Sequence, residues 1–188
     1  MPTIEALRPA GAQIWPLSVK AYHVLGDLGL IPERSELLYG QVFHKMPKSP
    51  YHSLLLLRLL ELLRRATPSD RHIRPEQPID CGDSEPEPDL AVLRGTMEDF
   101  SANHPASAEF VIEICVSSHA YDRAKLRAYA SARVRECWLV LGPEQQIEVY
   151  RQPVRDEFTH RSIHGPGGSL TSDAIPGFSV DLASLFRS

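Results

Sequence analysis

Three residues have the types and the spacing to do chemistry together: Asp89, Glu113 and Lys125. Glu113 interrupts the β-branched apolar run Phe110 to Val116, whose length and composition predict a buried strand. A carboxylate in such a strand is costly to desolvate unless something binds it. Ser117 and Ser118 then offer N-caps, and a helix bearing Asp122, Lys125 and Tyr129 is expected to follow. Upstream, Pro88-Asp89 leads into the short apolar strand Leu90 to Leu93. Two strand-borne acids and a lysine are the groups needed to hold a divalent cation and to stabilise the charge that develops when a phosphodiester is cut.

Each of these residues also has an ordinary reading. A lone acid in a strand usually sits at a solvated edge or pairs with a basic side chain, so a structural Glu113–Lys125 or Glu113–arginine pair is the plain alternative. Lysine usage argues against it. The chain has four lysines (Lys20, Lys45, Lys48 and Lys125), whereas arginine fills sixteen positions, among them Arg123, Arg127, Arg133 and Arg135 around Lys125. A lysine kept inside an arginine-rich helix points to a need for a compact ammonium rather than a planar guanidinium.

The elements that must position these groups can be read along the chain. Residues 1–16 are rich in Pro and Ala without a clear period and are expected to form an N-terminal arm. Val19, Tyr22 and Leu25 predict a short helix within 17–28. Residues 36–46 alternate around Gly40 and predict a hairpin or a bent strand. Ser49-Pro50 reads as an N-cap followed by Pro at the first helical position. The leucines from Leu54 to Leu63 then predict a helix that is apolar on more than one face and therefore a core helix. Residues 71–81 read as one extended stretch, held at a sheet edge by Pro75 and Pro78. Residues 95–107 read as a polar loop, and strands are expected over 136–141, 146–151 and 157–163. The tail closes on a short apolar turn, 182–186. The order predicts a single α/β (α+β) domain over 17–188, built on a mixed sheet flanked by helices.

Composition narrows the function classes. With 43% hydrophobic and 23% charged residues, the chain reads as an ordinary globular domain. Its net charge of −4 provides no global field to recruit nucleic acid, so any DNA contact has to come from local basic patches. Three cysteines, Cys81, Cys115 and Cys137, show no CxxC spacing and read as reduced thiols of a cytoplasmic protein. No signal peptide is legible, and no apolar run is long enough to span a membrane. The eight histidines show no zinc-like spacing and read mostly as surface residues. No G-x-S-x-G or phosphate-loop motif is present, and Gly165 to Gly168 reads as a plain turn. Trp138 and Tyr150 read as core side chains rather than base-stacking platforms.

Taken in order, these pieces resemble the putative restriction endonuclease family of the Uma2 type, within the PD-(D/E)XK nuclease superfamily. The resemblance rests on Glu36-Leu37-Leu38-x-Gly40, Met46-x-x-Ser49-x-x-His52, Glu87-Pro88-Asp89-Leu90 and Val111-Ile112-Glu113-Ile114. It continues through Ser117-Ser118, Tyr121-Asp122-Arg123, Lys125 and Tyr129-Ala130, then Glu136-Cys137-Trp138, Ile147-Glu148-Val149-Tyr150-Arg151 and Ile175-Pro176-Gly177-Phe178. It implies a restriction-endonuclease-like fold and metal-dependent hydrolysis of DNA. Asp89 and Glu113 would hold Mg²⁺, or Mn²⁺ in its place, with the Ile114 carbonyl as a further ligand. Lys125 would stand in for the superfamily lysine, whose usual position is taken here by Cys115. His52 and Gln41 are candidates to orient those groups, and Glu36 is a weaker one. Tyr39-Gly40-Gln41 stands where the family often has Asp-Gly-Glu, and the step from Asp122 to Lys125 is a residue shorter than usual. These departures bear on catalysis, and the second function class is accordingly a nuclease-fold module that binds nucleic acid or a protein partner without cutting. Cutters of this kind are often homodimers.

Overall fold

The computed structural model describes residues 13–117 and 119–187. The predicted N-terminal arm lies outside them up to residue 12, and the described end, 13–16, is exposed and irregular. The first helix, α1 (Val19–Asp27), is capped by Ser18 and buries none of its residues. The predicted hairpin is β1 (Ser35–Leu38) and β2 (Gln41–His44), paired antiparallel with Leu38 opposite Gln41. Its two-residue turn needs positive φ at both positions, which Tyr39 (52°) and Gly40 (72°) supply. Gly40 is also required by space, because a Cβ there would stand 2.3 Å from Pro16 Cβ.

Helix α2 (Pro50–Ala66) begins as read, with the Ser49 hydroxyl accepting from the His52 N–H at 3.1 Å. Its buried face is His52, Leu55, Leu59, Leu60 and Leu63. The expected core helix packs on one face only: Leu57 is 62% exposed and Leu54 37%, because only one side of α2 meets the sheet.

That sheet has six strands in the order β3 (Arg71–Pro75), β4 (Leu90–Arg94), β5 (Phe110–Cys115), β6 (Glu136–Leu141), β7 (Gln146–Val154) and β8 (Glu157–His164). Only β5 and β6 run parallel, which requires the crossover helix α3 (His119–Ser131) between them. The proline-bearing β3 is an edge strand, as expected. Gln77–Cys81 does not continue it: Ile79 and Asp80 donate instead to Pro86 and Pro105 carbonyls. Strand alternation splits the core in two. Phe110, Ile112, Ile114 and Trp138 face α2, α4 (Leu182–Leu185) and the tail pair β9 (Ser169–Thr171) and β10 (Ser179–Asp181). Val111, Cys115, Cys137 and Leu139 face Tyr129 of α3. The mixed α/β class is as expected, while the β9–β10 pair and a short 3₁₀ turn at Glu98–Phe100 went unforeseen. Trp138 is fully buried, and Tyr150 is half-buried with its hydroxyl donating to Glu148. Among the described residues all three cysteines are free thiols.

Candidate active site

The antiparallel register of β4 and β5 builds the site. Leu90 pairs with Ile112, so one step beyond the ladder Asp89 lies opposite Glu113. Cross-strand neighbours of this kind share a face about 5 Å apart, where like charges repel. Both are nonetheless buried, Asp89 at 7% exposure and Glu113 at 2%, so cationic or hydrogen-bonding partners must compensate.

Asp89 is held from three sides. Its Oδ2 accepts from the Ile114 backbone N–H at 2.7 Å and lies 3.0 Å from His52 Nε2. Its Oδ1 accepts from Lys48 Nζ at 2.8 Å. Burial pushes this carboxyl up, but His52 and Lys48 outweigh it and bring it down to about 2. His52 comes from the first turn of α2, and Lys48 stands just before its cap. Glu76 is a second partner of Lys48.

Glu113 sits in a different environment. Its Oε1 accepts from the Tyr129 hydroxyl at 2.5 Å and lies 3.2 Å from Lys125 Nζ. Lys125 and Tyr129 are four residues apart on α3 and so project from one face. Lys125 also reaches Glu36 Oε1 at 3.1 Å, an oxygen that accepts from the Tyr121 hydroxyl at 2.8 Å. Glu36 Oε2 takes the Glu87 N–H at 3.0 Å. Burial pushes Glu113 up to about 8, against the pull of Lys125 and with help from Asp89, Asp122 and Glu36. For Lys125, burial alone would lower the ammonium, yet Glu113, Glu36 and Asp122 leave it raised.

These groups line one open cleft of about 400 Å³. Asp89, Glu113, Ile114, Lys125, His52 and Glu36 all border it. Lys125 is buried and turned toward Glu113 and Glu36, so the short step from Asp122 does not swing it away. Gln41 is the exception: it is exposed at the start of β2 and does not line the cleft. Its neighbour Tyr39 acts on α3 instead, its hydroxyl donating to the Ala124 carbonyl at 2.5 Å and accepting from the Ala128 N–H at 3.1 Å. Sequence reasoning missed Lys45 and Lys48, which also border the cleft, so three of the chain's four lysines meet here. The scarcity argument that singled out Lys125 would have found them.

The donor set suits a hard divalent ion, since carboxylate and carbonyl oxygens are its preferred ligands. One observation supports the Ile114 carbonyl as a member. A strand residue turns its N–H and C=O to the same side, and the Ile114 N–H goes to Asp89. Its carbonyl therefore faces the β4 side, beyond the last ladder pair.

Residues 29–183 match the Uma2 family, described as Putative restriction endonuclease. The chain belongs to this family. Among solved structures, this Uma2 chain is similar to a crystal structure titled as a putative nuclease belonging to DUF820 from Anabaena variabilis ATCC 29413. The TM-score is 0.76 at 17% identity, over 91% of this chain and 98% of that one. At that identity the likeness shows a shared fold. No curated protein matches. Among the described residues no helix is long and apolar enough to cross a membrane.

Proposed function

We propose that this Uma2 chain is a Mg²⁺-dependent endonuclease that hydrolyses DNA phosphodiesters in the cleft between β4, β5 and α3. The observation that carries the reading is the β4–β5 register, which sets Asp89 opposite Glu113 one step beyond the Leu90–Ile112 pair, both bordering a cleft that also holds Lys125. The family's description supports a nuclease. Asp89, Glu113 and the Ile114 carbonyl would hold the ion, with Mn²⁺ as a substitute. When bound, it supplies Lewis-acid polarisation of a phosphate and a water of lowered pKa. Lys125 places a buried ammonium beside Glu113, where it stabilises negative charge developing on the phosphate. Lys45 and Lys48 border the same cleft but are paired with Glu87 and with Glu76 and Asp89. Its lining of six acids and three lysines is therefore net negative and suits a cation before it suits a phosphate. His52 keeps Asp89 ionised and oriented from α2.

The test is nicking of supercoiled plasmid by the purified chain with Mg²⁺, with Mn²⁺ and with EDTA. Asp89→Asn and Glu113→Gln should each lose at least about 100-fold in rate, with circular dichroism unchanged. Cleavage at the parent rate by both variants, or in EDTA, sinks the reading.

A second reading has its own observation. Both oxygens of Asp89 already have partners, in Lys48, His52 and the Ile114 N–H. A cleft that keeps those pairs would serve as a nucleic-acid-binding module without chemistry. DNA binding without Mg²⁺ binding in a titration would favour that reading.

A further inference from the structure

Away from the cleft, the fold gathers a second group of ionisable side chains. His23 projects from α1, Glu85 from the segment leading to β4, and His104 from the loop between β4 and β5. One ligand atom from each lies within 4.8 Å of the other two. We propose that His23, Glu85 and His104 form a site for a zinc-class divalent transition metal, which clamps α1 to the body of the domain.

Four observations support this. First, Glu85 is 4% exposed, and among the described residues its carboxylate hydrogen-bonds only His23, whose Nε2 lies 2.7 and 2.9 Å from the two oxygens. A carboxylate buried that deeply is costly unless it is paired or bound to a metal. Second, the donor set of two imidazoles and one carboxylate is that of zinc sites that keep a fourth position for water; imidazole nitrogen selects against Mg²⁺ and Ca²⁺. Third, the group opens on a cavity of about 1210 Å³, which leaves room for the ion and its water. Fourth, α1 buries none of its residues. Its named side-chain ties to the body are the Tyr22 hydroxyl on Ser35 and the His23–Glu85 contact. A helix attached so lightly gains most from a metal cross-link.

The geometry needs only small adjustments. Ligand atoms around a tetrahedral zinc stand about 3.3 Å apart. The His23–Glu85 approach must open by about 0.5 Å, and since all three ligand atoms lie within 4.8 Å of one another no gap need close by more than about 1.5 Å. The backbone of the site is already fixed: the Glu85 N–H donates to the Leu37 carbonyl at 2.7 Å, and the Asp80 N–H donates to the Pro105 carbonyl at 2.9 Å beside His104. The moving parts are side chains. His23 is 46% exposed, and its ring stands edge-on to that of His104 with centroids 6.1 Å apart. One feature opposes the ion. Arg74 Nη2 lies 3.4 Å from His104 Nδ1, so the guanidinium must release the ring. It also stacks over Phe100, 5.6 Å from the centroid, which gives it a second resting place.

The test is titration of the metal-stripped full chain with Co²⁺, read by its visible d–d absorption, followed by displacement with Zn²⁺. It is run in the Asp89→Asn/Glu113→Gln background, so that the cleft contributes no signal and failure here says nothing about nuclease activity. The expected result is one Co²⁺ per chain, with His23→Ala and His104→Ala each weakening binding by roughly 100-fold. Arg74→Gln should tighten it a few-fold. Hydrogen exchange of the α1 amides should slow on adding Zn²⁺ to the parent and not to His23→Ala. No Co²⁺ binding by the parent, or equal binding by both histidine variants, overturns the site. A folded His23→Ala whose α1 amides still slow with Zn²⁺ overturns the clamp.

Discussion

Glu113 and Glu136 are carboxylates buried to 2% and 1% exposure on the two parallel strands of the sheet. They sit at opposite ends and on opposite faces, and they are used differently. Glu136, at the start of β6, is saturated by hydrogen bonds. It accepts from Trp138 Nε1 at 2.7 Å, from Arg151 at 2.9 and 3.1 Å, from the Ser172 hydroxyl at 2.9 Å, and from the Asp173 and Ala174 N–H groups at 2.8 Å. It pins the C-terminal tail to the sheet. Glu113 shares one lysine with Glu36, takes a single tyrosine hydroxyl, and borders an open cleft. Burial of an acid therefore does not mark a site by itself. What distinguishes Glu113 is incomplete compensation beside a space that a ligand can enter, which is what the proposed cation site requires.

Substitution and pH should separate the two acids. The largest effect on stability is expected from Glu136→Ala, which strands Arg151 and several donors; urea unfolding should show a loss of about 4 kcal/mol. Lys125→Met should cost about 3 kcal/mol in the same assay, because Glu36 and Glu113 lose their shared ammonium. If Glu113→Gln cost as much as Glu136→Ala, the distinction between the two acids would fail.

The pH dependence of the metal-free chain follows from the two cleft acids, and they act in opposite senses. Asp89 lies below its ordinary value, at about 2, so its contribution of about 2 kcal/mol is present above about pH 4 and is lost as pH falls toward 2. Glu113 lies above its ordinary value, at about 8, so its contribution is full below about pH 4.5 and is lost as pH rises through 8. Urea midpoints should therefore fall between these pH values in the parent, and Glu113→Gln should flatten that decline.

Smaller effects complete the series. Tyr129→Phe removes one hydrogen bond from an oxygen that keeps Lys125, at about 1 kcal/mol. In the absence of metal, His23→Ala should cost about 1 kcal/mol, since it leaves the buried Glu85 carboxylate without its histidine partner while His23 itself is half-exposed. A larger loss would mean that the His23–Glu85 pair is itself structural, and calorimetry on the metal-stripped chain reads it directly.

The features legible in the chain alone are the locally encoded ones. The Ser49-Pro50 start of α2, the apolar strand around Glu113 and the helix that follows it all obey short-range periods and caps. Asp89, Glu113 and Lys125 lie close enough in the chain for those elements to be counted between them. Tertiary structure decided the rest, because it depends on register and packing between distant segments. The register of β4 against β5 places Asp89 opposite Glu113. The hairpin turn leaves Gln41 outside the cleft, and the approach to α2 brings in Lys48 across 41 residues. The three-residue strands β9 and β10 are too short to show a period. His23 and Glu85 meet across 62 residues, a separation that no ligand spacing in the sequence could display.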